Sequence, residues 1–128
     1  MSGKAPSTRL STAEAILAAY NSLSTSALEP LLDSSFTKEI LPKSLGEPTS
    51  DRESYLKQSE AFPLMFSSSI ITPREIFEDD TRNAVVVYGG MKAEFVGGKG
   101  VIENEFVMVM FMSEDGKKVV KMLDFRGK

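Results

Sequence analysis

Residues 100–127 read GVIENEFVMVMFMSEDGKKVVKMLDFRG, and this stretch decides the fold. Two runs rich in Val, Met and Phe flank Asp115-Gly116, a dipeptide that favours the tight turn of a hairpin. Side chains alternate across a strand with a period of two. One face of the first run therefore carries Asn104, Phe106, Met108, Met110 and Met112, and one face of the second carries Val120, Met122, Asp124 and Arg126. These faces are apolar at one end and charged at the other, which suits the floor of a pocket. The alternate face, with Val107, Val109, Phe111, Leu123 and Phe125, is too apolar to meet water as one patch. A second copy of the chain is expected to cover it, sheet against sheet.

Working back from the hairpin, Ala84–Val96 and Ser68–Phe77 read as two more strands, joined by the polar turn Glu78-Asp79-Asp80-Thr81-Arg82-Asn83. Gly97–Gly100, GGKG, lies between strand-like runs and reads as a turn, not as a phosphate loop opening a helix. Gly89-Gly90 interrupts its strand and predicts a bulge or bend there. Upstream the pattern changes to helices. Capping boxes at Ser11–Glu14, Ser26–Glu29 and Ser50–Glu53 predict three helix starts, the last carrying Tyr55, Leu56, Ser59 and Phe62 towards Pro63. Ile16, Ala19, Tyr20 and Leu23 mark the buried face of the first. Between the second and third, Phe36–Leu41 reads as a strand that stops at Pro42, and PKSLGEPTS as a loop.

Helices followed by consecutive antiparallel strands predict an α+β fold, with three N-terminal helices packed on one face of a strongly bent, mainly antiparallel sheet. Such a sheet forms a cone whose open end is a pocket. The expected organisation is a polar, frayed N-terminus over residues 1–10 and one domain over residues 11–128.

Composition narrows the chemistry. The chain has 128 residues, a net charge of −3 and no basic run, which argues against non-specific nucleic-acid binding. No apolar stretch is long enough to span a membrane, and MSGKAPSTRL lacks a signal-peptide core, so a cytoplasmic location is the expectation. With no cysteine and no histidine, there is no thiolate nucleophile, no zinc–sulfur site and no imidazole base. Acid–base work falls to Asp, Glu, Lys or Tyr. No cofactor and no metal are expected.

The order of elements, with FTKEILPKSLGEP, ENEFVMVM and DGKKVVKMLDF, resembles the SnoaL-like branch of the nuclear-transport-factor-like (cystatin-like α+β) superfamily. Within that branch it resembles the small fungal isomerases of meroterpenoid biosynthesis. The resemblance spans Ser11 to Arg126, and its most specific piece is Leu41-Pro42-Lys43-Ser44-Leu45-Gly46 followed by Pro48. It implies a dimeric cone that works without a cofactor and rearranges, cyclises or isomerises a hydrophobic polyketide- or terpenoid-derived molecule. Tyr55 and Asn21 match family positions. Two departures stand out: Lys38 occupies the place of a family histidine, and Asp124 that of a family glutamate one methylene longer.

The candidate catalytic residues are accordingly Asp124 as acid or base, Asn104 to hold a carbonyl or orient the carboxylate, Lys38 to pair with a substrate enolate or with Asp124, and Tyr55 as a donor. Candidates for contact with substrate are Tyr20, Asn21, Tyr88, Phe106, Met108, Met122 and Arg126. Each also has a plainer reading: core packing for Tyr20, Tyr55 and the methionines, solvation for Lys38. Glu105 alternates to the opposite face and is expected at the surface or an interface. A non-catalytic small-molecule-binding or dimerisation module is the alternative to an enzyme. The two separate on whether the cone holds an open pocket with Asp124 inside it or is filled by methionines.

Overall fold

The computed structural model of the chain describes residues 7–126. Four α-helices, α1 (Thr8–Asn21), α2 (Thr25–Leu28), α3 (Arg52–Ser59) and α4 (Phe62–Met65), accompany six strands: β1 (Leu32–Leu41), β2 (Ser50–Asp51), β3 (Phe66–Asp79), β4 (Ala84–Phe95), β5 (Val101–Met112) and β6 (Val119–Arg126). The strands form one sheet in the order β2-β1-β6-β5-β4-β3. All neighbours are antiparallel except β1 and β6, which run parallel. The α+β architecture expected from the sequence is therefore the one observed, with the helices lying on the concave face of a curved, unclosed sheet.

The terminal hairpin organises the core as its alternation predicts. Phe106, Met108, Met110 and Met112 of β5 are buried, and Val107, Val109 and Phe111 between them are only partly so. On β6 the prediction needs one correction. The register slips between Phe111 and Met112, so that Val119 pairs with Met112 and Met122 with Met110. Val119, not Val120, shares the inner face with Met122 and Asp124. Ile16, Leu17, Leu28, Leu32, Phe36, Val85 and Val87 complete the core. At the hairpin tip Gly116 turns the chain at φ 77°, and its carbonyl accepts a hydrogen bond from Thr12 Oγ1 at 2.6 Å. The first helix is thus fastened to the turn it covers.

Helix starts differ from the expected boxes by a few residues. Ser7, not Ser11, caps α1 by accepting from Leu10 N, and Ser24, not Ser26, caps α2 by accepting from Ala27 N. In α3 the cap is Asp51, accepting from Ser54 N. Ser50 is instead paired with Lys38 in the sheet. Glu29, Pro30 and Leu31 form a single 3₁₀ turn, the brief helix end that Pro30 allows. Phe62 does not extend α3 but opens the short helix α4. Of the expected frayed segment, residues 1–6 lie outside the described residues, and Ser7–Leu10 already cap and open α1.

The expected bulge at Gly89-Gly90 lies on the strand opposite. Pro73 pairs with Gly89 and Glu75 with Tyr88, which leaves Arg74 as the extra residue in β3. Gly89 permits it, since a Cβ there would stand 2.4 Å from the carbonyl oxygen of Thr72. The turn expected from Glu78 starts only at Asp80, since Glu78 and Asp79 still pair in β3, and all three are tied to basic side chains: Glu78 and Asp80 to Arg9, and Asp79 to Arg82. Among the described residues no helix is long and apolar enough to cross a membrane.

Candidate active site

Cross-strand pairing stacks the inner-face residues in layers. Nearest the hairpin tip are Met112 and Val119, then Val85, Met110 and Met122, followed by Val87, Met108 and Asp124. The next layers towards the open end are Gly89, Phe106 and Arg126, then Ile71, Met91 and Asn104, then Ser69, Ala93 and Ile102. Met110 and Met122 are fully buried below the open part of the cone. Above them is a cavity of about 310 Å³, the size range of small-molecule sites. Its walls are mostly apolar: Leu23, Phe62, Met65, Phe66, Ile71, Met91, Phe106 and Met108. Polar side chains gather at its inner end, where Tyr20, Lys38, Tyr55, Asp124 and Arg126 line it, while Ser69 and Asn104 line the outer part.

Asp124 is held there by register. It lies opposite Met108 on one side and Ile40 on the other, and is 6% exposed. Two cations flank it. Lys38 Nζ stands 3.6 Å from Asp124 Oδ2, and Arg126 Nε donates to the same oxygen at 3.3 Å. Neither closest contact uses Oδ1.

Lys38 overturns its plainer sequence reading. It is 8% exposed, because β2 covers one flank of β1 and β6 the other, and its ammonium sits 4.6 Å from the centroid of the Tyr55 ring. A cation so placed is attracted by the ring's negative face. Tyr55, 2% exposed, is wedged between Lys38 and Phe36, whose ring lies 5.4 Å away.

Tyr20 and Tyr55 share a short hydroxyl–hydroxyl hydrogen bond, and Tyr20 Oη also reaches Met122 Sδ at 3.5 Å. Burial pushes the Tyr20 hydroxyl well above its ordinary pKa, and the neighbouring Tyr55 and Asp124 push it further. Tyr20 is therefore a neutral donor at any physiological pH. The two hydroxyls hold two protons. One closes the bond between them; with Tyr55 as that donor the Tyr20 proton points to Met122 Sδ, and with Tyr20 as that donor the Tyr55 proton is available to the cavity that both residues line.

Some candidates fall elsewhere. Tyr88 is on the outer face, where Arg74 donates to its hydroxyl at 3.0 Å and also pairs with Glu105. The bulge at Arg74 aims that guanidinium outwards, so Tyr88 is a surface residue and not part of the pocket. Asn21 does not line the cavity either. Its Oδ1 accepts from the backbone N–H of Ile71 at 2.8 Å, pinning the end of α1 to β3. Met122 lies under the cavity, not in its wall. Asn104 does line the cavity, but four residues along β5 from Asp124's partner Met108, or about 14 Å at ~3.4 Å per residue. It cannot orient the Asp124 carboxylate; it can only meet the far end of a bound molecule. The sequence reasoning missed Ser69, Phe62 at the start of α4 and Phe66 at the start of β3. Alternation along Ser68–Phe77 puts Ser69 and Ile71 on one face, which is the signal that was there to find.

No family model matches the chain, and no curated protein matches it in sequence. Solved structures do. AusH from Aspergillus nidulans is 21% identical, with a TM-score of 0.84 over 96% of this chain and 88% of its own. The BvnE pinacolase from Penicillium brevicompactum is 17% identical, with a TM-score of 0.85 over 93% of this chain and 82% of its own. An NTF2-like protein of unknown function from Burkholderia pseudomallei is 15% identical, with a TM-score of 0.77 over 95% and 92%. At these identities the likeness establishes the fold, and the chain has the NTF2-like cone that its resemblance to the SnoaL-like branch implied.

Proposed function

We propose that the protein is a cofactor-independent isomerase or cyclase that uses acid–base chemistry on a hydrophobic polyketide- or terpenoid-derived molecule. The observation that carries this reading is the clustering of Asp124, Lys38, Tyr55 and Tyr20 at the inner end of an otherwise apolar cavity. Asp124, through Oδ1, takes a proton from a carbon next to a carbonyl. The electrons move onto the carbonyl oxygen, and the Lys38 ammonium and the free proton of the tyrosine pair stabilise the charge that develops. Return of the proton to a different carbon gives an isomer; alternatively the enolate attacks a second carbonyl carbon of the same molecule, the electrons of that C=O bond move onto its oxygen, and Asp124 returns the proton there, giving a cyclised isomer of the same composition. The apolar walls hold the substrate and exclude water. That a protein of this fold is named a pinacolase supports rearrangement chemistry in such a cone.

The alternative, a non-catalytic module, is best served by a cone filled with methionines. Here Met110 and Met122 are buried below the open part of the cone, while Met65, Met91 and Met108 line open space. The experiment that tests the reading compares metabolite profiles of the source organism with and without the gene. Accumulation of one precursor and loss of an isomeric product supports it, and unchanged profiles under conditions where the gene is expressed count against it.

We further infer that the protein works as a homodimer. On the outer face Phe77, Val86, Val109 and Leu123 form one cross-strand row, and Tyr88, Val107 and Phe125 the next. A second copy of the same face covers such a patch.

A further inference from the structure

The charged groups in the cavity wall do not balance. Lys38, Arg126 and Asp124 are the charged residues that line it among the described residues, two cations against one carboxylate. Nor is their hydrogen bonding complete. Lys38 is nine-tenths buried, yet its nearest anionic oxygen is 3.6 Å away, longer than a hydrogen bond. Among the described residues no acceptor lies within bonding distance of its Nζ. The ammonium carries three donors and lines the cavity, so the donors that the protein does not meet are open to oxygen from water or from a bound molecule. Arg126 commits only Nε, to Asp124, and its terminal nitrogens have no acceptor among the described residues. Both cations share Asp124 Oδ2, so that one oxygen is divided between them.

We propose that the substrate is an organic anion, a carboxylate or an equally acidic ionised enol, whose oxygens seat between Lys38 and Arg126. This rests on the cavity being the substrate site. Such an anion supplies the acceptors that Lys38 lacks, offers the guanidinium a planar partner and brings the wall to neutrality. The apolar remainder of the molecule then points outwards along Phe106 and Met91 towards Asn104. Binding by Arg126 fixes the anion one layer above Asp124, which brings a carbon lying between the anionic group and the carbonyl within reach of the Asp124 carboxylate. A neutral amide of the same shape offers one uncharged acceptor oxygen in place of two that share a negative charge, leaves the wall with its net positive charge, and is discriminated against.

Calorimetric titration of the folded protein with 2-naphthoate and with 2-naphthamide, its neutral counterpart of nearly equal shape, tests this. We expect naphthoate to bind at least about tenfold more tightly. The preference should weaken in high salt and be largely erased by Arg126→Gln, a change at a half-exposed position that leaves the core intact. Lys38→Met should reduce it as well. Equal affinity for the two probes overturns the proposal while leaving the cavity as an apolar binding site, as does a preference that survives both substitutions. Binding of neither probe counts against the cavity as a ligand site and takes the proposal with it.

Discussion

Lys38 and Asp124 meet diagonally across the parallel pairing of β1 and β6, where Lys38 is in register with Met122 and Asp124 with Ile40, and their charged atoms are 3.6 Å apart in the wall of the cavity. Their contributions to stability are unequal. Asp124 keeps Arg126 if Lys38 is lost, whereas Lys38 keeps no anion if Asp124 is lost. Breaking a buried pair by removing one partner costs roughly 3–5 kcal/mol. Asp124→Asn should approach that range, and Lys38→Met should fall clearly below it. The double variant Lys38→Met/Asp124→Asn should recover part of the loss. Denaturant unfolding at neutral pH measures all three, and the reverse order would show that the pairing is not what holds these groups.

Tyr20 sets a limit at alkaline pH. Its folded pKa is raised above the usual 10.0, chiefly by burial. The unfolded chain therefore releases this proton first. The stabilising contribution of the neutral phenol is complete below about pH 10 and is lost as the pH climbs through the folded pKa. Tyr20→Phe removes the ionisable group. Unfolding measured between pH 8 and 11 should show the wild type losing more stability over that interval than the variant. Parallel curves would mean that Tyr20 does not feel the burial described.

The reach of the sequence can be judged from particular residues. The alternation from Asn104 to Met112 placed the inner face correctly, because a strand packed on one side has only two choices for each side chain. It failed at Val120, where a slip in register changes the parity without leaving a mark in the composition. Lys38 could not be read as buried, since its burial depends on β6 pairing with β1 from more than eighty residues away, with β2 on the other flank. Tyr88 was misplaced for the same kind of reason. Its parity on β4 is fixed by pairing with Val107, and its partners Arg74 and Glu105 are brought together by a bulge that the glycines opposite made legible but did not locate. Helix caps moved by one to four residues because Ser and Thr crowd each start and several can serve.

The outer sheet face yields a prediction about assembly. Val109 and Phe125 sit in its two apolar rows, and neither contacts the cavity. Light scattering at micromolar concentration should give twice the 14.0 kDa of one chain for the wild type and a value near one chain for Val109→Glu or Phe125→Glu. A wild-type mass near 14.0 kDa would show that the face stands alone.

The last prediction concerns the proton that Asp124 moves. Asparagine at position 124 has nearly the same shape but cannot accept a proton from carbon. General acid–base catalysis is worth typically 10²–10⁴ in rate, so turnover by folded Asp124→Asn should fall by about that factor. Because a missing proton acceptor acts in the transition state, the loss should appear mainly in kcat, with a smaller change in KM. Asp124→Glu restores a carboxylate one methylene longer at the same place in β6 and should recover a large part of the rate, which a merely structural role for Asp124 does not require. Tyr55→Phe should lower kcat by less, because Tyr20 and Lys38 remain to meet the developing oxygen charge. Asn104→Ala should act instead on KM, as expected of a contact about 14 Å along β5 from Met108, the partner of Asp124. Full activity in a correctly folded Asp124→Asn protein would assign the proton transfer to another group, and Tyr55 and Lys38, the nearest candidates, would then be the residues to replace.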